Sequence, residues 1–270
     1  MIQADLHNHT WYSHGAATTA DMYAAAQKTD LELFGFSEHS PLPPGYACGL
    51  YRHGDLCGVF PDYAREVMEL RRTATRPRVL FGMELDWIPA RCDFMESLVS
   101  AYPFDYIIGA IHYLGTFSIG SGGWNDGETA CFARYDAYYD EMARMAASGM
   151  VDVVAHPDFI KLHSFDCFHR WLKKPDSLRR VAAALEAMAK AGVAMEISSA
   201  GLRRSWHEAH PAPAILPLAA AAGVRISFGS DSHSTDSIAG DFDSLAEAAR
   251  AHGFREYLVF EQRQPRALPL

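Results

Sequence analysis

The sequence predicts an α/β fold in which parallel strands close into a barrel, and two observations support this. Short apolar runs alternate with alanine-rich amphipathic stretches along the 270 residues, a pattern typical of parallel β/α architecture. Residues that can bind metal ions also fall at the carboxyl end of nearly every apolar run. A barrel brings all its strand ends to one mouth, whereas an open doubly wound sheet concentrates function at one switch point. We therefore expect a barrel.

The elements of this barrel follow in order along the chain. The predicted strands are 2–8, 33–38, 79–87, 106–112, 151–156, 193–199 and 225–231, with a possible eighth at 257–260. The predicted helices are 19–29, 61–75, 91–101, 131–148, 176–191, 212–222 and 242–252. Pro61 and Pro175 stand where two helices should begin, because proline is favoured in a first helical turn. Gly149, Gly192 and Gly223 stand where the helices before strands five, six and seven should end.

Two long segments, 40–60 and 113–130, follow the second and fourth predicted strands. The first is rich in proline and glycine, and the second is rich in glycine. Loops of this length in a compact domain are usually functional or disordered. We expect both to overhang the mouth of the barrel.

The composition indicates a globular protein, which we expect to form one domain over residues 1–270. Hydrophobic residues make up 49% of the chain and charged residues 21%. The formal net charge of −9 argues against a nucleic-acid partner. The beginning of the chain lacks a signal-peptide pattern, and no apolar run is long enough to cross a membrane. Five scattered cysteines without a CxxC spacing favour reduced thiols and a cytoplasmic location, while the oligomeric state stays open.

Histidines and carboxylates gather at the predicted strand ends. Positions two apart on a strand share a face, so His7 and His9 can point into one site, as can Asp231 and His233. Protonated imidazoles would repel one another, so their convergence indicates a bound cluster of cations. The candidate ligands at strand ends are His7, His9, His14, His39, Glu84, His112, His156, Glu196, Asp231 and His233. The other histidines are interpreted as surface or structural residues: His53, His163, His169, His207, His210 and His252.

Seven segments resemble the successive motifs of the PHP (polymerase and histidinol phosphatase) family. They are Asp5-Leu6-His7-Asn8-His9, Ser13-His14-Gly15, Glu38-His39, Gly82-Met83-Glu84-Leu85-Asp86, Ile111-His112, Ala155-His156-Pro157-Asp158 and Gly229-Ser230-Asp231-Ser232-His233. Their order and their placement at strand ends both match the family. The resemblance implies a distorted, TIM-like (β/α)7 barrel with a trinuclear metal centre at the carboxyl ends of its strands.

The resemblance also implies how three divalent metal ions share nine ligands. The first metal would be held by His7, His9, Glu84 and Asp231, the second by Glu84, His112 and His156, and the third by His14, His39 and His233. Imidazole and carboxylate ligands suit Zn, Mn or Fe. Asp5 and Glu38 are expected to orient imidazoles rather than to bind a metal.

Such a centre predicts hydrolysis of a phosphate monoester. Two metals about 3.5–4 Å apart would convert a water molecule into a hydroxide nucleophile and neutralise the phosphoryl oxygens. We expect Glu84, Asp231 and His233 to be the catalytic residues. Whether Asp231 or an imidazole protonates the departing alcohol is left open.

The segments after strands five and six resemble the histidinol-phosphate phosphatases of this family, which makes histidinol phosphate the expected small-molecule substrate. The segments are Asp158-Phe159-Ile160-Lys161 and the stretch from Glu196 to Arg203 that leads into Glu208. Arg203 offers a guanidinium fork suited to a phosphate, and Lys161 offers a point charge.

The cationic end of this substrate, its ammonium and imidazole groups, needs acidic or aromatic partners. Glu208, Asp158 and Trp87 are the candidates. Trp124 either packs against the rim of the mouth or contacts the substrate.

Three alternatives share some of these features. A phosphodiesterase acting on a small nucleotide would use the same metal ligands. A regulatory module without catalysis should lack several ligands, yet all nine positions are filled. An amidohydrolase barrel often bridges its metals with a lysine carbamate, whereas here Glu84 is available for that role.

Overall fold

The computed structural model describes residues 1–121 and 123–270 and contains a barrel of parallel strands. Seven strands of this described chain form one sheet in the order β1, β2, β3, β4, β7, β8, β9. They are β1 (Ala4–Asp5), β2 (Leu33–Phe36), β3 (Arg78–Asp86), β4 (Tyr106–Ala110), β7 (Val153–Val154), β8 (Ala194–Ser198) and β9 (Ile226–Gly229). Backbone hydrogen bonds from Leu6 to Phe228 (3.2 Å) and from His9 to Ser232 (2.8 Å) join the first strand to the last. The predicted distorted (β/α)7 barrel is confirmed.

Helices follow most of these strands, as the sequence predicts. They are α1 (Thr19–Ala26), α2 (Phe60–Thr73), α3 (Cys92–Ala101), α4 (Glu128–Ala147), α6 (Pro175–Ala191), α7 (Leu216–Ala222) and α8 (Phe242–Ala251). Pro175 begins α6, and Pro61 lies in the first turn of α2. Gly192 and Gly223 end α6 and α7 in the left-handed conformation, with φ of 74° and 71°. A residue with a side chain would be strained there, which is why glycine marks these helix ends.

Three parts of the fold differ from the sequence prediction. The strand predicted at 257–260 exists as β10 (Glu256–Glu261), but it pairs with β11 (Gln264–Pro269) in an antiparallel hairpin outside the barrel sheet. The segment 113–130 contains a small hairpin of β5 (Tyr113–Leu114) and β6 (Phe117–Ser118). An additional helix, α5 (Phe165–Leu172), follows β7 before α6.

Tyr106 fills the inside of the barrel next to two glycines. Its ring is fully buried, and its hydroxyl donates a hydrogen bond to the carbonyl of Leu6 at 2.6 Å. A Cβ atom placed at Gly35 or Gly82 would overlap the Tyr106 side chain. These two positions on β2 and β3 are therefore glycine because the tyrosine of β4 lies against their backbone. This packing links three neighbouring strands below the mouth.

Within residues 1–121 and 123–270, no helix is both long enough and apolar enough to cross a membrane.

Candidate metal centre

The predicted metal ligands converge at the carboxyl ends of the barrel strands. His7 and His9 follow β1, His39 follows β2, Glu84 lies within β3, His112 follows β4, His156 follows β7, and Asp231 and His233 follow β9. His14 lies in the loop after β1 and reaches the same place. The centroid of its ring lies 4.2 Å from that of His233. Three groups of ligand atoms lie close enough to hold an ion: His9–His39–His233, His7–His9–Glu84 and His39–Glu84–His112.

Glu84 is the centre of this arrangement. Its Oε1 lies 3.0 Å from His156 Nε2, 3.4 Å from His7 Nε2 and 3.6 Å from His112 Nε2. Its Oε2 lies 3.5 Å from His9 Nε2 and 2.7 Å from His39 Nδ1. Ligands about 2.1 Å from a tetrahedral zinc ion are about 3.4 Å apart, so most of these spacings fit a shared cation.

Asp231 faces Glu84 from the last strand. Its Oδ1 lies 3.2 Å from His9 Nε2 and 3.7 Å from His7 Nε2. The described ligand atoms of His7, His9 and Glu84 lie close enough together to hold one ion, and Asp231 lies beside them. On the outer side of His9, the rings of His14 and His39 approach each other, with their Nε2 atoms 3.1 Å apart.

Buried atoms without hydrogen-bond partners show that these residues fit metal ions. Among residues 1–121 and 123–270, four such atoms point into the centre: His7 Nε2, His9 Nε2, His233 Nε2 and Glu84 Oε2. His39 Nδ1 is also without a hydrogen bond in the described chain, although it lies 2.7 Å from Glu84 Oε2. Buried polar atoms are normally satisfied, so this number at one place indicates ligand atoms aimed at cations.

Carboxylates behind the histidines fix the orientation of three rings. Glu38 Oε1 lies 3.2 Å from His9 Nδ1, and Asp86 Oδ1 lies 2.8 Å from His112 Nδ1. Glu196 Oε1 lies 2.7 Å from His7 Nδ1. The expectation that Glu38 orients an imidazole is confirmed. Glu196, a strand-end candidate ligand in the sequence, has the same orienting role, because His7 already lies between it and the centre.

Asp5 has a different role from the one expected. Its Oδ1 accepts a hydrogen bond from the backbone N–H of Ser230 at 2.9 Å, and its Oδ2 accepts from the Ser230 hydroxyl at 2.6 Å and from Ala239 N–H at 3.0 Å. It therefore fastens the end of β1 to the loop after β9 instead of orienting a ring. The expectation was wrong because donors of Ser230 and Ala239, together with the backbone N–H of His7 (3.3 Å), engage both Asp5 oxygens.

In the metal-free protein, the charges of the centre raise the pKa of some of its histidines and lower that of others. Burial opposes protonation of His9 and His112, but the nearby carboxylates outweigh it and raise the pKa of each to about 9. Burial and the neighbouring histidines lower the pKa of His14 to about 2 and that of His233 to about 3. Despite burial, His39, His7 and His112 hold the pKa of Glu84 well below the usual range. His7, His9 and His233 do the same for Asp231. The carboxylates are therefore ionised and ready to bind cations.

Two of the predicted ligands lie in strained backbone. His156 has φ of 21° and Asp231 has φ of 49°, values that residues other than glycine rarely adopt. Strain of this kind persists where the surroundings enforce it, most often at functional sites. The turn at His156 also explains why β7 stops at Val154, two residues before the end of the predicted strand.

The predicted substrate-binding residues occupy different positions relative to the mouth. Arg203 is exposed, and its Nη2 donates to the carbonyls of Ser230 (2.7 Å) and Asp231 (2.9 Å), which places its guanidinium beside the metal ligands. Lys161 is fully buried, and its amine donates to Asp158 (2.8 Å), Glu208 (2.8 Å) and the Ala209 carbonyl (2.9 Å). Its three N–H groups are thus matched by three acceptors, so the expected free charge facing a phosphate is replaced by a buried ion-pair cluster.

The aromatic and acidic candidates for the cationic end of the substrate are also mostly enclosed. Asp158 is fully buried, and Lys161 and His210 hold its pKa below the usual range. Trp87 is buried and donates its indole N–H to Glu141 at 3.0 Å. Glu208 is 17% exposed and contacts His169 at 3.1 Å. Trp124 packs against Phe117 and Tyr135.

Several residues next to the centre are not among the site residues predicted from the sequence, which interprets His210 as a surface or structural histidine. His210 is buried with its ring 6.1 Å from that of His156, and Phe159 packs on His112 and His156 at 5.0 and 4.8 Å between centroids. Tyr51, from the 40–60 loop, lies 5.4 Å from the ring of His39. These residues come from loops, where no periodic pattern indicates which side chain turns inward.

Comparison with known proteins gives consistent results. The PHP domain family matches residues 5–200 of the chain. A protein of Deinococcus radiodurans named "probable histidinol-phosphatase" is 28% identical over 264 residues, which cover 96% of this chain and 97% of that protein. A Schizosaccharomyces pombe protein of the same name is 23% identical, over 86% of this chain and 80% of its own length.

A solved structure has the same fold. The histidinol phosphate phosphatase of Lactococcus lactis, complexed with zinc, L-histidinol and phosphate, superposes with a TM-score of 0.76. The match covers 98% of both chains at 17% sequence identity.

Proposed function

The chain belongs to the PHP family, and we propose that it is a metal-dependent phosphatase that hydrolyses L-histidinol phosphate to L-histidinol and phosphate. The observation that carries this proposal is the convergence of imidazoles and carboxylates around Glu84, whose two oxygens face five histidines. The end-to-end similarity to proteins named as histidinol-phosphatases supports this choice of substrate within the family.

We propose that three divalent ions, Zn, Mn or Fe, occupy the centre. The ligands would be His7, His9, Glu84 and Asp231 for one ion, Glu84, His112 and His156 for the next, and His14, His39 and His233 for the third. When bound, such ions acidify a water molecule and neutralise the charge of a phosphate ester.

The catalytic residues of this proposal are Glu84, Asp231 and His233. The neighbouring histidines hold the pKa of Asp231 well below the usual range despite burial, so its carboxylate is ionised and can accept a hydrogen bond that orients an attacking water molecule. His233 has its Nδ1 3.5 Å from Asp231 Oδ1, which places its ring next to this carboxylate. Glu84 keeps the histidines of the centre together.

Arg203 is proposed to bind the phosphate. Two backbone carbonyls hold its Nη2 at the metal-binding loop, while Nη1 has only a long contact of 3.4 Å with the Ser199 hydroxyl among the described residues. The guanidinium therefore still presents donors to an anion. Lys161 is proposed to act with Glu208, because their 2.8 Å ion pair positions the Glu208 carboxylate for the imidazole end of the substrate.

The wider properties of the protein follow from this proposal. We propose that residues 1–270 act as one domain on a small phosphate ester in the cytoplasm, without a nucleic-acid or membrane partner.

The proposal is tested by steady-state kinetics of purified protein reconstituted with Mn, Zn or Fe. We expect kcat/KM for histidinol phosphate to exceed that for an aryl phosphate by a large factor. Equal, weak turnover of both would disprove the substrate. Cleavage of a nucleotide diester without turnover of histidinol phosphate would instead favour the phosphodiesterase.

A further inference from the structure

An unsatisfied carboxylate oxygen lies beside the metal centre. Asp86 is the last residue of β3, and only 3% of its surface is exposed. Its Oδ1 lies 2.8 Å from His112 Nδ1. Its Oδ2 is buried and has no hydrogen-bond partner among residues 1–121 and 123–270. Because a buried charged oxygen without a donor is unfavourable, this atom indicates a position where a donor binds.

The surroundings of Asp86 are aromatic. Among its described contacts His112 carries a positive charge in the metal-free protein, and it gives up that charge when its imidazole binds a metal. Burial and then the Asp86 charge raise the pKa of Tyr51 and of Tyr113, so both phenols stay protonated and neutral. The Tyr113 hydroxyl donates to the Ala47 carbonyl at 3.0 Å, which fixes the 40–60 loop over this region. Neutral aromatic rings around a buried carboxylate favour a cation.

A cleft of about 200 Å³ lies beneath the 40–60 loop. Tyr51 and Tyr46 form part of its wall, whereas Asp86 does not line it. The Tyr51 ring lies 5.4 Å from that of His39. Tyr51 therefore lies between this cleft and His39.

We propose that Asp86 and the Tyr51 hydroxyl bind the primary ammonium group of a substrate whose phosphate lies at the metal centre. This inference rests on the proposed phosphatase function and adds which residues bind the amine of its substrate, so that other phosphate esters of amino alcohols should also be accepted. An ammonium group has three N–H donors and no acceptor, so it complements Asp86 Oδ2 and the phenol oxygen.

The short separation between Asp86 and Glu84 supports this placement. One imidazole ring, that of His112, separates Asp86 from Glu84, because its Nδ1 contacts Asp86 and its Nε2 lies 3.6 Å from Glu84 Oε1. In a β-amino alcohol phosphate the nitrogen is only a few bonds from phosphorus. Phosphate at the centre and ammonium at Asp86 are therefore compatible with one short molecule.

The test compares matched substrates that differ only in the amine. One pair is L-histidinol phosphate and its analogue without the amino group, and the other is 2-aminoethyl phosphate and propyl phosphate. Asp86→Asn keeps an oxygen for His112 but removes the charge, so we expect kcat/KM of the metal-loaded enzyme to fall about 10- to 100-fold for each amine. The substrates without an amine should be nearly unaffected. Tyr51→Phe should lower the preference for amines about 3- to 10-fold.

Controls separate this role from effects on the metals. Metal content of each variant is measured by elemental analysis, and Asp93→Asn removes the same charge from an exposed position of α3 outside the cleft. Asp93→Asn should leave the preference for amines unchanged. If Asp86→Asn reduces both members of each pair equally, Asp86 acts only through His112 and the inference is overturned. A wild-type enzyme without any preference for the amine overturns it as well.

The two proposals fail in different ways. If histidinol phosphate is not hydrolysed but Asp86 still determines a preference for 2-aminoethyl phosphate, the ammonium site stands and the substrate of the proposed function is wrong. If histidinol phosphate is hydrolysed as well as its analogue without the amine, the function stands and the ammonium site is wrong.

Discussion

Glu196 and His7 form a buried pair in which the carboxylate of β8 holds a ligand that follows β1. Glu196 Oε1 lies 2.7 Å from His7 Nδ1, and Glu196 Oε2 accepts a hydrogen bond from the backbone N–H of His156 at 2.7 Å. One side chain thus orients the ring of one ligand and supports the strained backbone of another. A Cβ atom at Gly229, the last residue of β9, would overlap this carboxylate, which explains why this position is glycine.

Replacing Glu196 should therefore weaken metal binding although it is not itself a ligand. We expect Glu196→Ala to lower metal affinity about 10- to 100-fold, since partners that orient metal-binding histidines typically contribute this much. Competition with a chelator measures the change. Glu186→Ala, at an exposed position of α6, is the control and should bind metal like the wild type. Equal affinities of Glu196→Ala and the control would contradict the orienting role.

Glu84 should be indispensable, because its two oxygens face histidines of all the proposed metal positions. We expect Glu84→Ala to lose about two metals per chain and to reduce turnover to background. The two metals proposed to share this carboxylate would each lose an oxygen ligand. Elemental analysis and phosphate release measure both effects. Glu247→Ala, exposed on α8, should change neither. Full metal content in Glu84→Ala would be evidence against the bridging role.

Arg203 and Arg204 offer a matched pair for the phosphate contact. Both are exposed, but the Arg203 guanidinium is held at the carbonyls of Ser230 and Asp231. We expect Arg203→Ala to lower kcat/KM about 10- to 100-fold, mainly through a higher KM, because a charge-assisted contact is lost. Arg204→Ala should be close to the wild type, and metal content should be unchanged in both. A larger loss of kcat/KM in Arg204→Ala would show that Arg204, and not Arg203, contacts the phosphate.

Much of the centre could be predicted because, in a barrel, residues near the carboxyl ends of successive strands lie together at one mouth. A ligand such as Glu84 or His156 needs only to end a strand, since every parallel strand ends at the same mouth. The partners of Lys161 could not be predicted in this way. Its contact with Glu208 spans 47 positions, and it joins two loops whose paths depend on tertiary packing. The apolar run at 257–260 likewise predicts a strand but not its partner, which is set by the turn at Gln262 and Arg263.

Metal binding should release protons at neutral pH. In the metal-free protein the pKa of His9 and of His112 is raised to about 9, so both rings are protonated at pH 7, and a ligand must lose its proton to bind a metal. Burial opposes protonation of His7 as well, but the Glu196 and Glu84 charges raise its pKa well above the usual value. Affinity should therefore rise with pH to about 9 and beyond. Calorimetric titration with Mn or Zn in buffers of different ionisation enthalpy should show release of roughly three protons. Binding without proton release would contradict the raised pKa values.

The packing of Tyr106 against Gly82 predicts a strong effect of a single methyl group. In Gly82→Ala the new Cβ would overlap the fully buried Tyr106 ring, which cannot move without losing the hydrogen bond from its hydroxyl to Leu6. We expect the free energy of unfolding to fall by about 1–3 kcal/mol, the usual cost of overfilling a core. Gly58→Ala is the control, because a Cβ there meets no atom within 4 Å, and it should change stability by less than about 0.5 kcal/mol. Urea unfolding of the metal-free variants measures both values, and equal stabilities would show that the strands move apart to accept the methyl group.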